Sequence, residues 1–340
     1  MLQIRAVSGE DLVAIDLAQF LESLPAGMHP VRALKQHLHS LCGLSRFRQR
    51  LIFLDDDVVL DDDATLRPGE VQVVRLNFCP SSKKQVTALR DAARSGRAVD
   101  VDSILQRPQD PDAVFFDRPS PLFRASEHGH LEVARLLLEA NADKDKAASD
   151  GATPLLVAAR QGELEVVALL LEARADKDKA QNDGRTPLFI AAQHRHLDVV
   201  RLLLEGNADR DRGMQDGTTP LHIAAGHLDV VRLLLEAKAD KDKSMQEGFT
   251  PLHIAARCGH SDVVRLLLEA RADKDKAMHD GATPLFVAAQ DGRLDVVRLL
   301  LEANADRDKA THDGTKPLLV AVQDGHVEVA CLLRKRGHGP

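Results

Sequence analysis

The sequence predicts a mainly α-helical protein: an elongated array of short helical repeats, preceded by a small α+β domain. Three observations predict it. A proline recurs at Pro121, Pro154, Pro187, Pro220, Pro251, Pro284 and Pro317, at one constant interval except for a single shorter step from Pro220 to Pro251. The 340 residues contain no Trp, no Tyr and ten Phe although 44% of them are hydrophobic, so the cores must be aliphatic, as suits thin stacked units too narrow to enclose large rings. Residues 1–78 follow no such period, and the chain exceeds the length of one ordinary core.

The parts of one unit each have a physical reading. Thr153 is placed to N-cap a helix, and Pro154 at its first position loses no hydrogen bond by lacking an N–H. Ala158 and Ala159 keep that helix slim, so that a neighbour can approach. Gly162 supplies the positive φ that ends it, and a second helix is expected from Glu163. Leu164, Val166, Val167, Leu169, Leu170 and Leu171 make its apolar face too broad for one neighbour to cover. The pair Asp183-Gly184 favours a tight turn, giving a hairpin-like finger between units.

Thr-Pro-Leu-His-Ile-Ala-Ala at 219–225 and again at 250–256 resembles the ankyrin signature. The resemblance recurs seven times over residues 117–337. It implies an ankyrin-repeat solenoid of helix–turn–helix units with β-hairpin fingers, whose concave side binds a protein partner. A decayed copy precedes it: Ala92-Ala93-Arg94-Ser95-Gly96 lies one proline interval before Ala125-Ser126-Glu127-His128-Gly129, and Val101, Ile104 and Leu105 follow as a second helix requires. The expected organisation is therefore a first domain over 1–79, a linker over 80–84, a degenerate capping repeat over 85–116, and seven repeats over 117–340. Arg334 in place of a leucine, with Lys335 and Arg336 after it, gives the last repeat a polar end that suits a C-terminal cap.

The first domain has a different pattern. Leu2, Ile4 and Ala6 alternate, Ser8-Gly9-Glu10 turns, and Leu12, Ala14 and Ile15 return, which predicts a β-hairpin. Val31, Leu34, Leu38 and Leu41 have helical spacing, and strands follow at 49–53 and 71–75, giving the order ββαββ. With Gln49-Arg-Leu-Ile-Phe53, then Leu60, Asp61 and Leu66, this segment resembles a ubiquitin-like β-grasp domain. The resemblance carries that family's apolar sheet patch to Ile52 and Val74; the other reading is that these two merely hold the sheet or pack on the array. The hairpin tip Ser8-Gly9 lacks the leucine that completes the patch, and no diglycine follows Val74, so conjugation through a tail is not expected.

Composition excludes several functions. The net charge of −7 is spread, with 8 Lys and Arg against 11 Asp and Glu in residues 1–80 and 37 against 41 in the remainder. No basic patch for nucleic acid results. The N-terminus lacks the apolar core of a signal peptide and no run is long enough to span a bilayer. Cys42, Cys79, Cys258 and Cys331 are scattered without a CxxC pair, which suggests reduced thiols in a soluble intracellular protein, cytoplasmic or nuclear. There is no phosphate loop and no nucleophile elbow, so neither an enzyme nor a cofactor or metal site is expected. His222 and His253 occupy the Thr-Pro-Leu-His slot, where the resemblance implies ties between repeats, and His194-Arg195-His196 lacks partners at ligand spacing.

Comparison among the repeats points to a site. One finger position reads Ala148, Gln181, Met214, Met245, Met278 and Thr311, so three consecutive repeats align methionines. With Phe249 these form either an adaptable apolar binding stripe or drift among duplicated units with Met packing on the next finger. Gln215, Gln246, His279, Arg257 and Asp291 flank it at other variable positions. Asp-Lys-Asp-Lys at 143–146, 176–179, 240–243 and 273–276 reads as solvated, mutually compensating charge, the alternative being a functional electrostatic stripe. Repeat four, at Ala224-Ala225-Gly226-His227, is two residues short of repeat five, so its first helix should lose about half a turn. The expected function is a monomeric, non-catalytic scaffold or adaptor that grips an unidentified partner protein. The alternatives are a self-assembling anchoring element and, more distantly, a ubiquitin-pathway adaptor docking through the first domain.

Overall fold

The alternation of Leu2 and Ile4 with Gln3 and Arg5 gives β1 (Leu2–Ala6) one buried face, and β2 (Asp11–Ile15) returns antiparallel to it. The computed structural model describes residues 1–114 and 118–334; the boundary expected at 116/117 and the terminal Lys335 and Arg336 lie outside the described residues. A short α1 (Leu17–Glu22), N-capped by Asp16, leads to α2 (Pro30–Cys42), which ends where Gly43 turns left-handed. β3 (Gln49–Phe53), a two-residue β4 (Val59–Leu60) and β5 (Gly69–Arg75) complete a sheet of order β2-β1-β5-β3-β4, with β1 parallel to β5. This is the mixed sheet that a β-grasp domain requires. It adds α1 and β4 to the expected ββαββ order, elements too short to leave a period in the sequence. Val31, Leu34 and Leu38 of α2 pack against Leu2, Ile4, Leu51, Phe53, Val71 and Val73.

α3 (Lys83–Arg94) begins inside the expected linker, because Ser82 and Gln85 close a reciprocal capping box. α4 (Ala98–Leu105) follows as the second helix of the degenerate repeat, and α5 (Pro121–Glu127) and α6 (Leu131–Glu139) form repeat one. The first domain is fastened to these helices by a cluster centred on one arginine. Arg46, in the 3₁₀ turn Arg46–Arg48, has a side chain 1% exposed. It donates to Asp62 at 3.0 Å, to Asp102 of α4 at 2.5 Å and to Glu139 of α6 at 2.8 Å. Lys35 donates to Asp62 at 2.6 Å and Gln36 to Glu139 at 3.0 Å. Burial opposes the Arg46 charge, but the bonds to Glu139 and Asp102 outweigh it and raise the pKa. Burial likewise opposes ionised Asp62, and Lys35 outweighs it, so that carboxyl is held below its usual range. Gln106 donates to Asp62 and Asp102 at 3.3 and 3.4 Å, so each nitrogen of the Arg46 guanidinium and each oxygen of the three carboxylates has a partner, which is the condition for such an ionic cluster to be tolerated.

In residues 150–334 the repeat grammar is regular. The hydroxyls of Thr153, Thr186 and Thr283 accept the N–H three residues on at 3.1–3.2 Å. Nine-residue second helices such as Leu164–Glu172 and Leu197–Glu205 bury Val166, Val167 and Leu170, or Val199, Val200 and Leu203. Gly162 at φ 80° ends the first helix of repeat two, and a Cβ there would lie 2.7 Å from Nδ1 of His196, whose Nε2 bonds the Arg160 carbonyl at 3.0 Å.

The charged tetrads are not the loose solvated charge expected of them. The Asp242 carboxylate accepts the backbone N–H of Asp273 in the next repeat at 2.8 Å, and Lys276 donates back to the Asp242 carbonyl at 2.5 Å. The same pair of bonds joins Asp211 to Asp240 and Lys243, and Asp275 to Asp306 and Lys309. Close ion pairs within a tetrad are weak by comparison, with Lys241 and Asp242 3.8 Å apart. The charges serve as fasteners because a carboxylate can satisfy a backbone donor that the turn leaves unpaired.

Repeat four departs further than half a turn. Its first helix is Pro220–Ile223, four residues against eight in Pro251–Cys258. In repeat five the N–H of His260 reaches back five residues to Ala255, whereas His227 reaches only three, to Ala224, at 2.7 Å. The missing residues also include the one whose carbonyl would receive His260, as the Arg160 carbonyl receives His196. Neither His227 nor His260 makes such a bond among the described residues. The seam between repeats three and four instead carries an exposed pair, Arg195 with Asp229 at 2.7 Å. At the far end, Leu319, Val322 and Val327 are 47%, 59% and 70% exposed beside exposed Gln323, Asp324, Glu328 and Arg334, so the outer side of the last repeat mixes apolar and polar residues.

Two outcomes follow. Arg46→Ala should lower the stability of the residue 1–149 unit by about 3 kcal/mol, since it strands three partly buried carboxylates; an unshifted urea midpoint for that unit would remove the latch. Backbone amides of residues 217–247 should exchange faster than those of repeats three and five, and equal protection would show that the deletion leaves no weak point.

Candidate functional site

Each finger is closed by its own backbone and braced by the next. In the finger of repeat five, the Met245 N–H donates to the Phe249 carbonyl at 2.9 Å and the Gly248 N–H to the Met245 carbonyl at 3.0 Å. Successive fingers are then laced: Gln246 donates to Asp216, His279 to Glu247 and His312 to Asp280, at 2.6, 3.0 and 2.8 Å. Gly248 sits at φ 91°, and a Cβ on it would come 2.8 Å from the Met278 Cα. The aligned methionines therefore stand where one finger's backbone presses on the glycine of the finger before it.

Between these fingers and the first helices of repeats five to seven lies a groove of about 670 Å³. Phe249, Arg257, Met278 and Asp291 line it, four of the residues singled out by comparing repeats. Met214 and Met245 are half-buried at finger bases outside it, and Gln215, Gln246 and His279 are exposed on finger tips outside it. The Met245 sulfur lies 3.8 Å from the Thr218 hydroxyl, so this methionine packs on the neighbouring finger. The floor is apolar: Phe286, Val287 and Val320 are 8%, 5% and 6% exposed. The Arg257 guanidinium stands 5.0 Å from the Phe249 ring centroid, and that ring meets His253 edge-on at 6.1 Å. Ile52 and Val74 lie on the outward face of β3 and β5, half-buried, with Ile52 paired to Gln72 and Val74 to Arg50. That face is opposite the one covered by α2.

Glu247 was not among the residues that the sequence singled out, and it is the most unusual residue of the groove. The equivalent finger residues are Asp150, Asp183, Asp216, Asp280 and Asp313, and each caps its own turn through a carboxylate that accepts the N–H two residues on. Glu247 makes no such bond and its backbone adopts φ 69°, a left-handed conformation that costs a non-glycine residue about 1 kcal/mol. Its side chain lines the groove with no hydrogen-bond or ion-pair partner among the described residues. The signal was present as Glu-Gly where the fingers of repeats two, three, four, six and seven have Asp-Gly.

The histidines are built into the stack. Nδ1 of His222 accepts the Thr219 N–H at 3.2 Å while Nε2 donates to the Phe249 carbonyl of the next finger at 3.1 Å. His253 repeats this with Thr250 and the Ala282 carbonyl at 3.2 and 3.3 Å. Both rings are satisfied only when neutral, and burial pushes both pKa values down, that of His253 to about 4. Among the described residues, no three His, Cys, Asp or Glu side chains are grouped to hold a metal ion, and no helix is long and apolar enough to cross a membrane.

The comparison with family models agrees with this architecture: the model for ankyrin repeats (3 copies) matches residues 89–181, 173–245, 216–278 and 272–339. The chain belongs to the ankyrin-repeat family. Its ankyrin repeats make it a protein–protein interaction module, and such arrays generally carry no catalytic activity of their own. No curated protein aligns with the chain at a significant level.

The neutral histidines of the ankyrin stack set a pH dependence. The unfolded chain protonates them near pH ~6.5 and the folded chain resists, so unfolding takes up protons below that pH. Stability is full above about pH 6.5 and falls as pH drops toward 4, by up to about 3 kcal/mol for a shift the size of that on His253. In His222→Phe/His253→Phe, phenylalanine occupies the slot as it does at Phe189 and Phe286. The fall in Tm between pH 6.5 and 4 should be shallower, and an unchanged slope would clear these residues of the effect.

Proposed function

We propose that the protein is a non-catalytic intracellular adaptor or scaffold that holds a partner protein in the groove of repeats five to seven. The observation that carries this reading is the groove itself, which joins an apolar floor to variable residues from three consecutive fingers. Phe249 and Met278 are the anchors, because a large flat ring and a pliable thioether supply contact area for little loss of conformational freedom. Arg257 and Asp291 fix the partner's orientation through charge. Met214 and Met245 extend the same line of finger bases without entering the groove, and Gln215, Gln246 and His279 offer polar contacts on the adjoining tips. In the first domain, Ile52 and Val74 are the candidate contact for a second partner, since the Arg46 latch uses the other side of that domain.

A second reading, self-assembly, is favoured by Leu319, Val322 and Val327, which leave an apolar surface open at the last repeat. Light scattering over a concentration series separates the two, a rising mass supporting assembly. For the adaptor, Phe249→Ala/Met278→Ala should reduce affinity capture of the partner by the whole chain tenfold or more with an unchanged circular dichroism spectrum, while Met214→Ala should have little effect. Capture that survives the double substitution would sink the groove assignment.

A further inference from the structure

We infer that the occupant of this groove is an extended, basic segment in which lysine or arginine side chains flank an apolar residue. The inference rests on the groove reading above and adds the chemistry of the ligand. Four carboxylates line the groove, those of Glu247, Asp280, Asp291 and Asp313, against one guanidinium, Arg257, and one imidazole, His312. Two of the four are partly engaged: Asp280 accepts the Ala282 N–H at 2.9 Å, and Asp313 accepts the Thr315 N–H at 3.0 Å and the Thr311 hydroxyl at 2.5 Å. Glu247 and Asp291 have no hydrogen-bond or ion-pair partner for their side chains among the described residues. Arg257 does not answer them, because its guanidinium is turned to the Phe249 ring.

This differs from the fastening positions, where Asp211, Asp242 and Asp275 accept backbone N–H groups and Lys243, Lys276 and Lys309 donate to backbone carbonyls. A concave site with low-dielectric walls focuses the field of unpaired charge, so cations are drawn in and phosphate-bearing or acidic segments are repelled. The buried Phe286, Val287 and Val320 beneath the carboxylates call for an apolar side chain between the cations. Length follows from geometry: packed helices are about 10 Å apart, so three repeats span roughly 20 Å, about six residues of extended chain at ~3.3 Å each. Glu247 adds an independent argument. Aspartate would cap the finger and let the backbone relax, yet this finger carries a longer acid in a strained conformation, the pattern of a residue kept for what its side chain reaches.

A random octapeptide library selected on the whole chain provides the probe, and the enriched octapeptides are then measured by fluorescence anisotropy. The expected peptides carry at least two Lys or Arg around an apolar residue, and their Kd rises with salt. In Glu247→Gln/Asp291→Asn the Kd should rise tenfold or more. Glu247→Gly guards against a folding artefact: glycine suits the left-handed backbone at this position, so the Tm should hold or rise while the affinity still falls. Enrichment of acidic or uncharged peptides, no enrichment at all, or an affinity indifferent to the carboxylate substitutions would overturn the inference. Uncharged peptides whose binding is lost in Phe249→Ala would overturn the basic ligand and leave the groove standing; binding indifferent to both sets of substitutions would overturn both.

Discussion

An ankyrin unit cannot bury its own second helix, and the hydrogen bonds that hold it in register with its neighbour decide everything built on top. In this chain that duty falls on aspartates such as Asp211, Asp242 and Asp275, whose carboxylates accept a backbone N–H in the next repeat while a lysine of that repeat returns a bond to the aspartate's carbonyl. Each bond is modest, about 1 kcal/mol. Their value lies in repetition: the same partner at the same place in successive repeats sets the spacing of the fingers. The groove of repeats five to seven exists because three fingers are held at that spacing.

Where the register breaks, the same logic shows the cost. Two deleted residues remove a turn of helix from repeat four and also the carbonyl that His260 would have bonded, so a local change in one repeat loosens the seam with the next. Repeat four keeps its second helix, Leu228–Glu236, because that helix is covered from both sides. His222 and His253 compensate on the finger side, each tying a first helix to the finger that follows, with rings that are satisfied only when uncharged. The segment just before the groove is therefore both the least regular part of the array and its most proton-sensitive part.

Two polar features use charge in opposite ways. Around Arg46 three carboxylates are partnered by the arginine, Lys35, Gln36 and Gln106, which makes the cluster a fastening between the first domain and the helices of the capping repeat and repeat one. In the groove, exposed Glu247 and Asp291 have no protein partner among the described residues beside an apolar floor, which makes that surface receptive. The difference lies in partners rather than in residue types, since both places are built from Asp, Glu and Arg.

The sequence by itself determined the repeat and most of its parts. The evenly spaced prolines, the threonine caps and the glycine stops are local devices whose physics operates within a few residues, and Phe249, Met278, Arg257 and Asp291 stood out because internal copies allow comparison position by position. The mixed sheet was legible in outline, from alternation at Leu2–Ala6 and Gln49–Phe53, though α1 and β4 were too short to register. Only the tertiary structure decided that the tetrads fasten one repeat to the next, that Met214 and Met245 lie apart from Met278, that Glu247 faces a groove, and that Arg46 binds Asp62, Asp102 and Glu139. Those are contacts across 16 to 93 positions of sequence, and what a charged side chain does there depends on which partners the fold brings within reach.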